Sequence, residues 1–186
     1  ALGVSVKVFD NSLFKLRRLQ NEIGQKVFTS VIQPKVLEKA LMRCDVAIGA
    51  LSAPHGRTPC IVSEDVVKKM KSGSVIVDVS IDKGGCFETS KITTHQKPTF
   101  TKHDIIHYCV PNIGSRVSRT ASFSLSNIFS PLLIEISESG GCEKLIQYSK
   151  GFRHGVYIYN GTLTSSILGK AFNIPYKNLD LIISAL

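Results

Sequence analysis

The sequence has no run of about 18 consecutive apolar residues, so it offers no candidate for a membrane-spanning helix. It opens directly on a strand-like segment, without the charged and then apolar start of a secretory signal. Its five cysteines are an odd number and form no Cys-x-x-Cys pair, which argues against a zinc site or a disulfide framework. Reduced thiols and a cytoplasmic location are the simplest expectation.

Nucleic-acid motifs are also lacking, although the formal net charge is +9. The basic residues are scattered along the chain and do not alternate with aromatic residues. We therefore expect no nucleic-acid partner. The positive charge suits an anionic cofactor or an ordinary solvated surface.

A metal site is not expected either. His103 and His107 stand four residues apart, a spacing that would place two ligands on one face of a helix. However, the segment "HDIIHYCV" is β-branched and leads into Pro111, so it predicts a strand. No third ligand accompanies the pair.

What the 186 residues do contain is alternating strand and helix patterns with short links. Strands are predicted over residues 3–10, 25–32, 45–50, 74–81 and 105–110, and helices over 11–24, 33–44 and 63–73. In the last helix, Ser63 is the expected cap. This order is typical of a parallel sheet with helices on both faces, a doubly wound α/β fold.

Polar residues follow several of these strands. Asp10, the segment "GALS" at 49–52, Asp82 and Asn112 all stand at strand carboxyl ends. Ligands of open α/β sheets bind at that edge. The segment after the strand at 74–79 is unusual, because it carries Asp82, a glycine pair and a second acid, Glu88.

The glycine-rich turn that normally opens a nucleotide-binding sheet is missing. Such sheets begin with a strand, Gly-x-Gly-x-x-Gly, a helix and a second strand that ends in an acid. This chain opens at the second strand, with Asp10 in the place of the acid. We therefore predict a Rossmann-like sheet that lacks its first strand-helix unit, in a piece of a longer protein.

The pattern changes after Val117. Residues 118–141 predict one long helix, bent near Pro131, and the segment "LTSSILGKAF" predicts a shorter one. These residues do not extend the alternation of strands and helices. We expect two domains, 1–118 for cofactor binding and a mostly helical 119–186.

The segments "KVFDNSLFKLRRL", "DVAIGALSAPHGRTPCIVSEDVVKKMKSGSVIVDVSIDKGGCFETSKITTH", "PTF", "HYCVPNIGS" and "SRTAS" resemble the alanine dehydrogenases and the related nicotinamide nucleotide transhydrogenases. The resemblance covers nearly the whole chain. It implies a cytosolic NAD-dependent enzyme of about twice this length, with residues 119–186 returning to the substrate domain. It also implies a homo-oligomer, a hexamer when complete, and the substrates alanine, water, pyruvate and ammonium.

By position, the resemblance implies that Asp10 and Lys15 lie near the adenosine ribose, and that Ala50, Leu51 and Ser52 cover the adenosine side. Around the nicotinamide it implies two groups: Val79, Ser80, Ile81 and Asp82; and Val110, Pro111, Asn112 and Ile113. Lys91, which stands where the family usually has arginine, is implied as a further cofactor-binding residue. Asp82 is the implied catalytic acid, and Gly84 and Gly85 would let the backbone approach the cofactor. Because a carboxylate repels a 2′-phosphate, Asp10 favours NAD over NADP.

Two loops depart from the family pattern, Pro54–Pro59 and Asn112–Val117. The family's substrate-binding and further catalytic groups lie in an amino-terminal part, so this chain alone is expected to be inactive. Two alternatives remain open. One is a nucleotide-binding subunit of a transhydrogenase, and the other is a non-catalytic NAD(H)-binding module.

Overall fold

The computed structural model describes residues 3–24, 26–52 and 56–184. The chain forms two compact units, Ala1–Asn112 and Ile113–Leu186. The units divide after Asn112, whereas the sequence places the boundary after residue 118. The assignment of the two predicted domains to cofactor and substrate binding stays a prediction.

The first unit alternates strands and helices. Its elements are β1 (Lys7–Phe9), α1 (Leu13–Ile23), β2 (Phe28–Ser30), α2 (Pro34–Leu41), β3 (Val46–Gly49), α3 (Glu64–Val67), β4 (Val75–Asp78), β5 (Thr99–Lys102) and β6 (Ile105–Tyr108). A 3-10 helix, Val79–Lys83, follows β4 directly. The predicted Rossmann-like order of elements is confirmed.

Local sequence explains the two longer helices. The hydroxyl of Ser12 accepts a hydrogen bond from the backbone N–H of Lys15, and so caps α1. In α2, Pro34 occupies the first turn, where its missing N–H is not needed. Leu37 and Leu41, four residues apart, bury the same face of α2.

The strands of the first unit form two sheets that share no strand. β1 and β2 pair in parallel, and the second sheet has the order β3-β4-β6-β5. In the doubly wound order 3-2-1-4-5-6, the first strand lies between the second and the fourth. β1 and β3 correspond to those two neighbours, and the first strand between them stays a prediction. On β3 itself, Val46 and Ile48 point to one face of the sheet and are exposed, whereas Ala47 on the opposite face is buried.

The sequence analysis missed the strand β5 in the first unit, as well as the two-residue strands β7 (Ile158–Tyr159) and β8 (Thr162–Leu163) further along the chain. β5 pairs antiparallel with β6, so the sheet is mixed and not purely parallel. The link between them has positive φ at His103 and Asp104, as in a two-residue hairpin turn. β5 has only four residues and lies at the edge of the sheet. Its sequence therefore carries little of the apolar pattern by which a strand is predicted.

The predicted elements of the first unit are all shorter than expected, and α3 and β4 show it most clearly. Only Glu64–Val67 of the predicted helix 63–73 is α-helical, and Ser63 makes no side-chain cap. Instead, the carboxylate of Glu88 accepts the backbone N–H of Glu64 at 2.7 Å. Strand β4 ends at Asp78, because its carboxylate accepts the N–H of Ser80 and turns the chain into the 3-10 helix.

The core of the first unit lies between the sheet and its helices. Ile76 of β4, Ile105 of β6 and Val67 of α3 are fully buried within one apolar cluster. Burying a side chain of this size contributes about 1.5–3 kcal/mol. The cluster therefore anchors β4 and β6, from which the polar loops leave the sheet.

The second unit is mostly helical. It contains a 3-10 helix (Ile113–Val117), α4 (Ser118–Glu138), α5 (Cys142–Tyr148), α6 (Lys150–Arg153), β7 (Ile158–Tyr159), β8 (Thr162–Leu163), α7 (Ser166–Phe172) and α8 (Leu179–Ile183). Helix α4 continues through Pro131 as one element. Among the residues described, no helix combines the length and apolar character needed to cross a bilayer.

Candidate functional site

Three of the predicted loops leave the sheet at one edge. β3, β4 and β6 are parallel, and their register pairs Gly49 with Asp78 and Val77 with Tyr108. Because the strands end level, the loops Ala50–Ser52, Val79–Lys83 and Val110–Asn112 begin side by side. We call this set of loops the carboxyl edge. It is the edge at which open α/β sheets bind ligands.

The carboxylate of Asp78 holds the middle loop together. The residue is fully buried at the end of β4. Its Oδ1 accepts the N–H of Ser80 at 3.1 Å, and its Oδ2 accepts the N–H of Cys86 at 2.8 Å. Oδ2 also accepts the hydroxyl of Ser90 at 2.7 Å and, at 3.4 Å, the N–H of Phe87. These charge-assisted hydrogen bonds close the chain from residue 79 to residue 90 into a compact loop.

Gly85 is required by this carboxylate. Its φ is +81°, and a Cβ built on it would lie 2.7 Å from Oδ2 of Asp78. The sequence interpretation explained the glycine pair by a close approach of the cofactor. The structure supplies another reason for Gly85, since a side chain there would collide with a buried carboxylate.

Ser80 joins the middle loop to the loop after β3. Its hydroxyl lies 2.7 Å from the carbonyl oxygen of Leu51 and 3.5 Å from that of Gly49, so it donates chiefly to Leu51. Ser80 itself is nearly buried. The side chain of Ser80 therefore has a structural partner and fixes the backbone of Leu51 relative to β4.

Asp82 joins the middle loop to the loop after β6. Both oxygens of its exposed carboxylate accept the backbone N–H of Asn112, at 3.3 and 3.2 Å. The Asp82 carboxylate and the backbone of Asn112, two residues predicted for the nicotinamide end, thus lie together. Asp82 is the one exposed carboxylate of the 3-10 helix Val79–Lys83. It can accept a proton or orient a bound hydrogen-bond donor at this edge.

Asp10 and Lys15 lie at the end of β1 and in the first turn of α1. The Oδ1 atom of Asp10 accepts the N–H of Ser12 at 2.7 Å, so this carboxylate also shapes the turn into α1. Lys15 is exposed. An acid half-buried at the end of this strand suits the diol of a ribose.

The remaining predicted residues are placed less directly. Val110 is buried and Pro111 half-buried, so they build the loop beneath Asn112. Lys91 is exposed, with its ammonium 5.9 Å from the ring centroid of Phe100. Ile113 begins the 3-10 helix of the second unit. In the loop Pro54–Pro59, which departs from the family pattern, Pro54 and His55 lie outside the described residues.

The buried His107 is satisfied by two protein partners. Its Nδ1 lies 3.0 Å from the carbonyl of Ile105, and its Nε2 lies 2.8 Å from the hydroxyl of Thr89. Because a carbonyl only accepts, Nδ1 carries the proton and Nε2 accepts from Thr89. Burial lowers the pKa of His107. The described ranges contain no group of three side chains able to hold a metal ion.

Cysteine chemistry does not fit this edge. Cys86 and Cys109 are buried, and desolvation raises the pKa of both thiols. A raised pKa leaves little thiolate at neutral pH, and the thiolate is the nucleophile. These two cysteines act as small core residues beside the loop.

The fold and the carboxyl edge define an α/β nucleotide-binding domain. Sequence reasoning identified the edge through the segment 49–52, Asp82 and Asn112, but it missed Asp78. The available signal was a single acid inside the apolar run "SVIVDV", where a charge must find buried partners.

The chain belongs to the family described as "Alanine dehydrogenase/PNT, C-terminal domain", which matches residues 1–166. It is 36% identical over 177 residues to an alanine dehydrogenase of Mycolicibacterium smegmatis, covering 95% of this chain and 47% of that protein. It is also 36% identical over 180 residues to alanine dehydrogenase 2 of Staphylococcus aureus, with 96% and 48% covered. The resemblance inferred from the motifs is confirmed.

Two solved structures are also similar to this chain. An L-alanine dehydrogenase superposes with a TM-score of 0.83 at 31% identity, over 92% of this chain and 47% of that chain. A transhydrogenase from Sinorhizobium meliloti has a TM-score of 0.65 at 17% identity, over 89% and 43%. The second likeness concerns the fold alone. This chain spans about half the length of the curated relatives it matches.

NAD is the cofactor of this family's domain, as the sequence predicted. The residues present fit its two nucleoside ends. Asp10 offers a carboxylate for a ribose diol, and Asp82 and Asn112 offer polar groups beside the loops after β4 and β6. The 186 residues contain no Gly-x-Gly-x-x-Gly turn for the pyrophosphate.

Proposed function

We propose that this chain is the carboxyl-terminal portion of an NAD-dependent alanine dehydrogenase. The reaction is reversible: L-alanine, water and NAD⁺ give pyruvate, ammonium, NADH and a proton. The observation that carries the proposal is the exposed carboxylate of Asp82, held at the carboxyl edge by the N–H of Asn112. The relatives at 36% identity, which are named alanine dehydrogenases, support the choice of reaction.

The residues of this chain have three tasks in the proposed reaction. When bound, NAD supplies the hydride acceptor. Asp10 binds the adenosine ribose diol, with Lys15 beside it, and Ala50, Leu51 and Ser52 line the adenosine side. Val79–Asp82 and Val110–Asn112 line the nicotinamide side, and Lys91 is a further cofactor-binding residue. The carboxylate oxygens of Asp82 orient water or the substrate nitrogen and take up a proton there.

The decisive experiment follows NADH absorbance in the full-length protein with pyruvate and ammonium. Rapid loss with NADH, but not with NADPH, would support both the reaction and the role of Asp10. Loss at equal rates with both cofactors would overturn the selectivity assigned to Asp10. Bound NADH that is not oxidised would overturn the dehydrogenase proposal and favour a transhydrogenase subunit or a binding module.

Location and assembly complete the proposal. All five cysteines are free thiols in the structure, which suits a reducing cytoplasm. We also expect a homo-oligomer, a hexamer in the full-length protein. Light scattering of the purified full-length protein tests this, and a monomer would contradict it.

A further inference from the structure

Asp78 is a buried ionisable group that the proposed reaction does not use. It is fully buried, and no ion pair involving it occurs in the part of the chain that the structure describes. A carboxylate without a cation is costly to bury, so it is retained only where several donors satisfy it. Here the donors are three backbone N–H groups and the hydroxyl of Ser90.

These donors come from both ends of one loop. Ser80 follows Asp78 almost directly, whereas Cys86, Phe87 and Ser90 lie at the far end. The carboxylate is therefore a clasp that joins the two ends. Asp82 lies between them, on the part of the loop that the clasp encloses.

Among the described residues, the N–H of Asn112 is the hydrogen-bond partner of the Asp82 side chain. The carboxylate is exposed, and the hydrogen bonds that it accepts from the N–H of Asn112 are long, at 3.3 and 3.2 Å. Water competes well for hydrogen bonds of this kind. The direction of the Asp82 side chain must therefore come from the backbone of its loop.

We propose that Asp78 is a positioning residue, whose buried carboxylate holds the loop from Val79 to Ser90 so that Asp82 faces Asn112. Its significance for catalysis rests on the proposed function, in which Asp82 handles the proton. The structural half of the proposal concerns only this chain. It can therefore be tested without any turnover.

The test uses the 186-residue chain and its variant Asp78→Asn. The substitution keeps the shape but replaces one acceptor oxygen with an NH₂ group, which would face N–H donors. The readout is the Asn112 amide, followed by NMR through its exchange with water and the response of its proton shift to pH. That amide reports whether the Asp82 carboxylate is in place. Asp82→Asn calibrates the signal expected when the charge is absent.

We expect Asp78→Asn to speed exchange at Asn112 at least fivefold and to flatten its pH response to that of Asp82→Asn. The amide of Ile106, which bonds to Ser74 within the sheet, should keep its protection. Asp65→Asn is the matched control, an exposed aspartate in α3 that should change neither amide. Exchange at Asn112 within twofold of wild type would overturn the proposal. If Asp82→Asn leaves the exchange and the pH response of the Asn112 amide unchanged, the proposal is overturned as well.

If Asp78→Asn does not fold, the variant Ser90→Ala tests the proposal in its place. It removes only the side-chain donor to Oδ2, and we expect at least a twofold rise in exchange at Asn112. An unchanged Asn112 amide in this variant would overturn the proposal.

Activity of the full-length protein then separates the two proposals. If Asp78 positions Asp82, Asp78→Asn lowers kcat about 10- to 100-fold and leaves KM for NAD within about threefold. An unchanged kcat would overturn its catalytic role. A wild-type protein without turnover would refute the proposed function, while the NMR result would still decide whether Asp78 positions Asp82.

Discussion

Gly85 and Asp78 show how strongly one buried group constrains its neighbour. We predict that Gly85→Ala lowers the free energy of unfolding by about 2–4 kcal/mol. The added methyl group is strained at φ +81° and displaces Oδ2 of Asp78 from its donors. Urea unfolding measures the loss.

Gly73→Ala is the matched control for that change. Its φ is +77°, but a Cβ there meets nothing within 4 Å. We expect Gly73→Ala to lower the free energy of unfolding by the backbone strain alone, about 1 kcal/mol. Equal losses for the two variants would show that crowding of Asp78 adds nothing.

Asp82 is the residue on which the proposed reaction depends. We predict that Asp82→Asn in the full-length protein lowers kcat at least about 100-fold, within the range for loss of a general acid-base. The amide keeps the shape but cannot take up the proton. Fluorescence titration should give an NADH affinity within about threefold of wild type. A variant that keeps normal turnover would refute the role of Asp82.

His107 gives the first unit a pH-dependent stability. Burial lowers its pKa, so the folded chain keeps it neutral where the unfolded chain takes up a proton, below about pH 6.5. The fold should therefore lose stability as the pH falls through that range. We predict that His107→Gln has a flatter dependence than wild type between pH 7.5 and 5.5 in urea unfolding. Parallel curves would contradict the prediction.

Glu64 links helix α3 to the β5–β6 hairpin. Hydrogen bonds from the Lys102 ammonium and then the His103 imidazole lower the pKa of the Glu64 carboxyl to about 2. A lowered pKa means that the ion pairs stabilise the fold above about pH 4.5 and are lost as the pH falls towards 2. The group is exposed, so salt weakens the effect.

We therefore predict that Glu64→Gln lowers the urea midpoint at pH 7, and that its difference from wild type disappears on acidification towards pH 2. Glu22→Gln is the control, because Glu22 forms one exposed pair with Arg18 within α1. It should change the midpoint less than Glu64→Gln does. A constant deficit for Glu64→Gln at all pH values would contradict the assigned pKa.

Helices α1 and α2 were predictable because caps and apolar spacing are local signals. The early end of α3 and the strand β5 were not. α3 ends early because the N–H groups of Lys69 and Met70 bond three residues back instead of four. Its first N–H is capped by Glu88, which lies 24 residues further along the chain. β5 depends on pairing with β6, and a four-residue edge strand carries little pattern of its own.

The chain as a whole lacks groups that the proposed reaction needs. We predict that the 186 residues alone do not oxidise L-alanine, and that their NADH affinity is at least about tenfold weaker than that of the full-length protein. The physical reason is the missing pyrophosphate-binding turn, which supplies backbone N–H donors to an anion. Fluorescence titration and an absorbance assay measure both properties. Clear turnover by the chain alone would refute the prediction.

Sequence alone determined the alternating strands and helices of the first unit apart from β5, the carboxyl edge and the family, because these follow from short-range patterns and one long ordered run of motifs. It also located Asp82. Only the folded chain showed that Asp78 is a clasp, that Gly85 makes room for it and that Asn112 meets Asp82. Those contacts join residues up to 30 positions apart. They depend on burial and on which strands are neighbours, neither of which a local pattern contains.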